Sequence, residues 1–269
     1  MRAMRPLTTD DVRAALDTRQ LGRSLTCLDE TGSTSDVAHR LGSEGLAHGH
    51  VVIADRQTSG RGRRGRGWVS PPGANLYASI LLRPQLEPRH APELTLVAAV
   101  AFCEALRDLG APVVIKWPND LQIEGRKVGG ILTEMSGVDG KVGFVVLGVG
   151  VNVNLNPEEL PPELSAVATS LKEALGRELD RAQVLSAMLS RLERWLEVHA
   201  REGFEPVRAR WSELSSTLGA RVRVNLESQS MEGEAVGLDL DGALLLREDS
   251  GEVRRIVAGD VENLRGSRG

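Results

Sequence analysis

The feature that most restricts the fold is the stretch from Val113 to Asn154, which leaves no room for a helix. VVIKW (113–117), DLQIEG (120–125), KVGGILTEMS (127–136) and KVGFVVLGVGVNVN (141–154) are four β segments separated by short turns. Parallel neighbours need a crossover of a dozen residues or more, so these strands must pair antiparallel. A doubly wound parallel sheet is thereby excluded, and a mixed or antiparallel sheet is predicted. HVVIAD (50–55) and NLYASILL (75–82) supply two more strands.

Helical periodicity is expected over 8–21, from Thr34 or Ser35 to about Gly42–Gly45, and over 91–109 with a stop at Gly110. It returns over 166–176, 181–200 and 203–215. In 181–200, Leu185, Leu189, Leu192 and Leu196 share one face, with Met188 and Trp195 beside them. From Ala220 the rhythm changes to two: Val222, Val224 and Leu226 alternate with Arg221, Arg223 and Asn225, and strands follow at 231–238, 243–248 and 252–257. This tail reads as a small antiparallel barrel. The expected fold is α+β, a mixed, largely antiparallel sheet with flanking helices followed by a small β domain. Its expected parts are a helical extension (1–24), a main domain (25–216) and the barrel (217–269).

Composition removes several function classes. Lys plus Arg number 33 and Asp plus Glu 37, a formal net charge of −4, which argues against a dedicated nucleic-acid coat. Cys27 and Cys103 are too few for a disulfide framework or a four-cysteine zinc site. The N-terminal MRAMRPLTTDDVRAALD has no apolar signal core. LTLVAAVAFCEAL (94–106) is interrupted by Glu104 and too short to span a bilayer. A cytoplasmic protein with reduced thiols, outside the membrane, is expected.

The densest chemical signal is QTSGRGRRGRGW, Gln57 to Trp68. Gly60, Gly62 and Gly65 satisfy G-x-G-x-x-G, but Pro71 and Pro72 follow and the next element is a strand, so this is no dinucleotide fingerprint. Arg56, Arg61, Arg63, Arg64 and Arg66 put five positive charges in eleven residues. Such a run can be a solvated basic loop, an RNA- or DNA-binding segment, or a phosphate-binding loop in which glycines admit the anion and arginines fork onto it. KWPND (116–120) can be simple turn chemistry, yet Asp120 suits Mg²⁺ beside phosphates. Lys127 followed by Gly129 and Gly130 suggests close approach of a ligand to a strand. Asn152 ends a very apolar strand in GVGVNVN (148–154).

Taken together and in this order, GSTS (32–35), GRGRRGRGW (60–68), GANLY (73–77), KWPNDL (116–121), GRKVGGILTE (125–134) and GVGVNVN (148–154) resemble the biotin protein ligases. The resemblance implies a class II aminoacyl-tRNA synthetase/biotinyl-lipoyl ligase-like sheet with an SH3-like C-terminal domain. It implies activation of biotin with MgATP to biotinoyl-5′-AMP, then transfer to a lysine of a biotin carboxyl carrier protein domain. Neither step needs a protein nucleophile; both need positive charge where carboxylate and phosphate meet.

By that resemblance, Lys127 touches both the biotin carboxylate and the α-phosphate and is the main electrostatic catalyst, joined by Arg61. Ser33, Thr34 and Gln57 match the set that binds the ureido ring, with Gly60, Arg61, Arg63, Gly129 and Gly130 completing the biotin site. Arg63, Arg66, Trp68, Asn75, Asn119, Lys127 and Asn152 match the ATP and adenylate positions, and Asp120 the metal ligand. Arg61, Arg63 and Arg66 belong to a loop that closes over the intermediate, with Arg64 turned to solvent. Bifunctional relatives carry an N-terminal DNA-binding domain. Here the first motif starts at Gly32, so a ligase without repressor activity or nucleic-acid partner is expected, as monomer or homodimer. Lipoate–protein ligase is the nearest alternative chemistry, and a nucleic-acid-binding module using the Arg-rich loop the alternative of another class.

Overall fold

A computed structural model describes residues 5–138, 140–226 and 229–264. Seven strands form the larger sheet: β1 (Leu25–Thr31), β2 (Val51–Gln57), β3 (Leu76–Leu82), β4 (Val114–Lys116), β5 (Asp120–Ile123), β6 (Arg126–Val138) and β7 (Lys141–Val151). Their order is β1-β2-β3-β7-β6-β5-β4, with β1–β2 parallel and the other pairs antiparallel. The helices are α1 (Thr9–Ala15), α2 (Thr34–Ser43), α3 (Glu93–Asp108), α4 (Pro162–Ser165), α5 (Leu171–Leu175), α6 (Arg181–Glu202) and α7 (Glu205–Leu214). A second, five-stranded antiparallel sheet holds β8 (Arg221–Asn225), β9 (Ser230–Leu238), β10 (Leu244–Arg247), β11 (Val253–Ile256) and β12 (Asp260–Asn263) in the order β11-β10-β9-β8-β12.

The two faces of the larger sheet have different partners. Ile131, Leu147, Val149, Ile80 and Leu82 pack on one side in a single core with α3 and the buried stripe Leu185, Met188, Leu189 and Leu192 of α6. On the other side a smaller cluster, Val52, Leu81, Phe144 and Val146, is covered by Ala38 of α2. Since α2 spans only ten residues, about 15 Å of helix, it shields part of that face and leaves the rest accessible.

Four elements depart from the pattern read in the sequence. β1 carries no strand signal in SLTCLDET: it is an edge strand with no residue fully buried, so the period-two alternation of a half-buried strand is absent. Helix α1 stops at Ala15 rather than near 21, because residues 19–21 give their N–H groups to Glu193 of α6, at 2.8, 2.7 and 3.0 Å. Residues 166–170 are not helical; Val167 O accepts from Lys127 N at 2.8 Å and Thr169 N donates to Lys127 O at 2.9 Å. Tertiary backbone pairing outweighs helix propensity there. In the smaller sheet β12 is an additional strand, pairing with β8.

Candidate active site

The accessible face narrows to a pocket because the strand residues beneath it are small. Gly130 of β6 sits opposite Gly150 of β7, and Leu132 opposite Gly148. A β-carbon on Gly150 would lie 2.5 Å from Trp68 Cε2, and one on Gly130 would lie 3.1 Å from Trp68 Cζ3. The indole therefore lies on a floor that only glycine provides. Strict alternation would put Lys127 and Gly130 on opposite faces. The register of β5–β6 shifts here, since Leu121 pairs with Gly129 but Gln122 with Lys127. Val128 is the extra residue of a bulge, and the change of parity brings Lys127 onto the pocket face. Its Nζ stands 5.3 Å from the Trp68 ring centroid and 2.6 Å from Asp120 Oδ1.

The Arg-rich loop is a small hairpin rather than a loose coil. Trp68 N donates to Gly60 O at 2.8 Å and Gly62 N to Arg66 O at 2.7 Å, with a bridge between Arg61 and Gly67. At the neck, a β-carbon on Gly60 would approach Trp68 O to 2.5 Å, so Gly60 shapes the hairpin and does not line the pocket. Each cation has a protein partner. Arg61 Nη2 lies 2.9 Å from both Asp36 Oδ1 and Glu134 Oε2, and Arg63 Nη1 donates to Asn119 Oδ1 at 3.0 Å. Arg66 Nη2 reaches Asp260 Oδ1 at 2.6 Å. Burial pulls the Arg63 guanidinium below its ordinary value, against the opposing pull of Asp260 and Asp120.

The opposite end of the pocket is neutral and polar. Ser33 caps α2, its Oγ accepting from Ser35 N at 3.3 Å. Gln57 Oε1 accepts from Thr34 N (2.9 Å) and Thr34 Oγ1 (3.2 Å), while Gln57 Nε2 donates to Ser70 Oγ at 3.1 Å. Ser79 Oγ is within 2.8 Å of Thr34 Oγ1 and 3.2 Å of Ser35 Oγ. Ser33, Thr34, Ser35 and Ser79 are all buried. The hydroxyl hydrogens of this cluster can rotate, so it offers donors and acceptors to a buried polar ring. One wall is apolar: Leu160, Leu164, Val167 and Ala168 come from the connection that pairs with Lys127.

Residues 28–152 match the Biotin/lipoate A/B protein ligase family, and residues 217–262 the Biotin protein ligase C terminal domain. The bifunctional ligase/repressor BirA of Bacillus subtilis is 37% identical over 95% of this chain and 79% of its own length. The biotin--[acetyl-CoA-carboxylase] ligase of Mycobacterium tuberculosis is 36% identical over 95% of this chain and 98% of its own. The chain belongs to the biotin protein ligase family. A biotin protein ligase from Aquifex aeolicus, solved in complex with biotin and ATP, superposes with a TM-score of 0.77 at 32% identity, covering 90% of this chain and 99% of that one. The mixed sheet and C-terminal β unit are thus the biotin ligase fold.

Of the residues singled out in the sequence, Ser33, Thr34, Gln57, Arg61, Arg63, Arg66, Trp68, Asn119, Asp120, Lys127, Gly130 and Asn152 line one pocket. Three do not. Gly60 forms the hairpin neck. Gly129 faces the core, where a β-carbon would lie 3.4 Å from Leu121. Asn75 is 1% exposed, with Oδ1 accepting from Val153 N at 3.1 Å and Nδ2 donating to Tyr77 Oη at 3.1 Å. An amide so engaged holds β3 to the end of β7 and is not free to read an adenine edge. Arg64, expected in solvent, instead donates to Asn225 O at 3.1 Å. Ser35, Ser79 and the apolar wall were not singled out. Alternation along β3 could have suggested Ser79; nothing local marks Leu160 or Leu164.

Proposed function

We propose that this chain is a biotin–protein ligase that forms biotinoyl-5′-AMP from biotin and ATP and passes the biotinoyl group to a lysine of a biotin carboxyl carrier protein domain. The observation that carries the reading is the polarity of the pocket: neutral hydroxyls and an amide at one end, and cations from two separate segments, the hairpin and β6, at the other. Biotin has the matching polarity, with a neutral ureido ring at one end and a carboxylate at the other. Ser33, Thr34 and Gln57 would bind the ureido C=O and N–H groups, helped by Ser35 and Ser79.

In the first step a carboxylate oxygen attacks the α-phosphorus, the bond to the β-phosphate oxygen breaks and pyrophosphate leaves. In the second the acceptor amine attacks the activated carbonyl carbon, the bond from that carbon to the oxygen shared with phosphorus breaks, AMP leaves with that oxygen, and the amine gives up a proton. Lys127 would bring its Nζ to the junction of carboxylate and α-phosphate, where its charge would offset the repulsion between two anions. Phosphate oxygens would replace Asn119 and Asp120 as partners of Arg63 and Lys127, while Arg66, held by Asp260, borders the same end. Among the described residues Trp68 Nε1 is buried without a hydrogen-bond partner, as is Trp211 Nε1 in the core. Asn152 and Asn119 border the same end, and Gly130 admits the chain between the two halves. Arg61, held by Asp36 and Glu134, closes the hairpin's near side.

Among the described residues no group of three or more His, Cys, Asp or Glu could hold a metal ion. The donor set fits Mg²⁺ arriving with the triphosphate, with Asp120 supplying one carboxylate oxygen, since Mg²⁺ keeps several waters and phosphate ligands. It would neutralise phosphate charge. Among the described residues no helix is long and apolar enough to cross a membrane, and the reading places the enzyme in the cytoplasm.

The test is pyrophosphate exchange by purified protein with ATP and either biotin or lipoate, with the acyl-adenylate identified by mass. Biotin-dependent exchange and biotinoyl-AMP are expected. Exchange with lipoate alone would move the protein to the lipoate chemistry, and no exchange with either acid would refute acyl-adenylate formation.

A further inference from the structure

The tip of the Arg-rich hairpin touches the second sheet at Asn225 and Asp260. Arg64 has φ 56°, a left-handed backbone that a residue with a β-carbon keeps only where its surroundings hold it. Its Nη1 donates to Asn225 O at 3.1 Å and lies 3.3 Å from Asp260 Oδ2. The other oxygen of the same carboxylate, Oδ1, takes Arg66 Nη2 at 2.6 Å. Asn225 and Asp260 are register partners across β8 and β12, so the carbonyl and the carboxylate form one fixed post. Arg63, between the pinned residues and the neck, turns the opposite way into the pocket toward Asn119.

We propose that Asp260 is a positioning residue: by bridging Arg64 and Arg66 it latches the hairpin over the pocket, keeps Arg63 directed inward, and must let go before the activated acyl-adenylate can escape. The identity of the retained species rests on the function proposed above; the latch itself does not. Burial alone would raise the Asp260 carboxyl, but its contacts with Arg66 and Arg64, with further charge from Arg63, hold it below its usual range. The carboxylate is therefore ionised at neutral pH. All three side chains of the latch are partly exposed, at 28% for Arg64, 60% for Arg66 and 33% for Asp260. Such a contact is weak enough to open during turnover.

The test compares wild type with Asp260→Asn, Arg64→Ala and the double variant. Arg64 does not line the pocket, so neither substitution removes a group placed at the reacting atoms. The first readout is amide hydrogen exchange of residues 60–68 in protein without substrates, with β8–β10 as an internal control for folding. Each single variant should exchange several-fold faster over the hairpin, and the two effects should combine less than additively, since both remove the Arg64–Asp260 contact, whereas the Arg66–Asp260 and Arg64–Asn225 contacts are each lost in only one of them. The second readout is escape of adenylate, followed as labelling of bystander lysines. It should rise several-fold, while the maximal rate of biotin-dependent pyrophosphate exchange stays near wild type and the KM for ATP rises. Hairpin exchange unchanged in Asp260→Asn, or additive effects of the two substitutions, would overturn the latch. Faster hairpin exchange in the variants of a protein that makes no adenylate would support the latch and refute the ligase reading.

Discussion

Gly150→Ala is the sharpest probe of the pocket floor. An added β-carbon would stand 2.5 Å from Trp68 Cε2 and 2.6 Å from Nε1, whereas ordinary contact begins at 3.4 Å. The indole must therefore move by about 0.9 Å, the shortfall between those distances. Overpacking costs ~1–3 kcal/mol in a tight core. Trp68 sits on a hairpin that can give way, so the lower figure, about 1 kcal/mol, is expected. For a chain of this size that is a fall in Tm of about 2–4 °C. The functional cost is larger, because a misplacement of about 1 Å at a reacting centre can cost ~10²-fold in rate. The assay is ATP–pyrophosphate exchange beside thermal unfolding of Gly150→Ala, Trp68→Ala and the double variant. The two single changes should reduce kcat/KM for ATP by ten- to a hundredfold, roughly, and the double should be no worse than the poorer single. A Gly150→Ala protein with wild-type kcat/KM, or one whose loss adds fully to that of Trp68→Ala, refutes the reasoning that the glycine exists to seat the indole.

Three further outcomes follow from named contacts. Lys127→Ala should cut adenylate formation by ~10²–10³-fold with an unchanged melting curve, since the side chain is partly exposed; near-normal exchange rates would remove it from its assigned role. Arg181 and Asp55 form a buried ion pair at 2.8 Å, each under a tenth exposed, so Arg181→Ala leaves a buried carboxylate unpaired. The cost is ~3–5 kcal/mol and a drop in Tm of roughly 10 °C, partly recovered in Asp55→Ala/Arg181→Ala; a drop of a degree or less would contradict this. Glu93 is buried, which alone would raise its carboxyl, but His199 at 2.7 Å and His90 at 2.6 Å hold it below the ordinary 4.5. A lowered folded value means stability that is present above pH ~4.5 and lost as pH falls through the lowered value. The stability gap between wild type and Glu93→Gln, from denaturant titrations, should be widest at neutral pH and shrink below that point. A gap independent of pH would count against the pairing.

The antiparallel body of the sheet was readable from residues 113–154, because strands joined by short turns admit only antiparallel partners; the parallel pair β1–β2 was not, since β1 lacks the alternation of a half-buried strand. Helices α3 and α6 were readable because their apolar period is long and regular. The motifs that fill the pocket were readable as well, since glycines and arginines at those spacings are unusual in an ordinary loop. What the sequence could not carry was parity and partnership. The bulge at Val128 turns Lys127 to the same face as Gly130, and no local signal marks it, because a bulge is set by the register of the strand beside it. Asn75 has the same residue type whether it reads a ligand or ties β3 to β7; only the neighbours Val153 and Tyr77 decide. The segment 166–170 has helical composition, yet its backbone is claimed by Lys127 from 40 residues upstream. Arg64 and Arg66 are alike in sequence to Arg61 and Arg63, and are separated from them by a carboxylate that lies almost 200 residues away. Local chemistry is fixed by residue type, but the direction in which a side chain spends its charge depends on contacts that only the folded chain brings together.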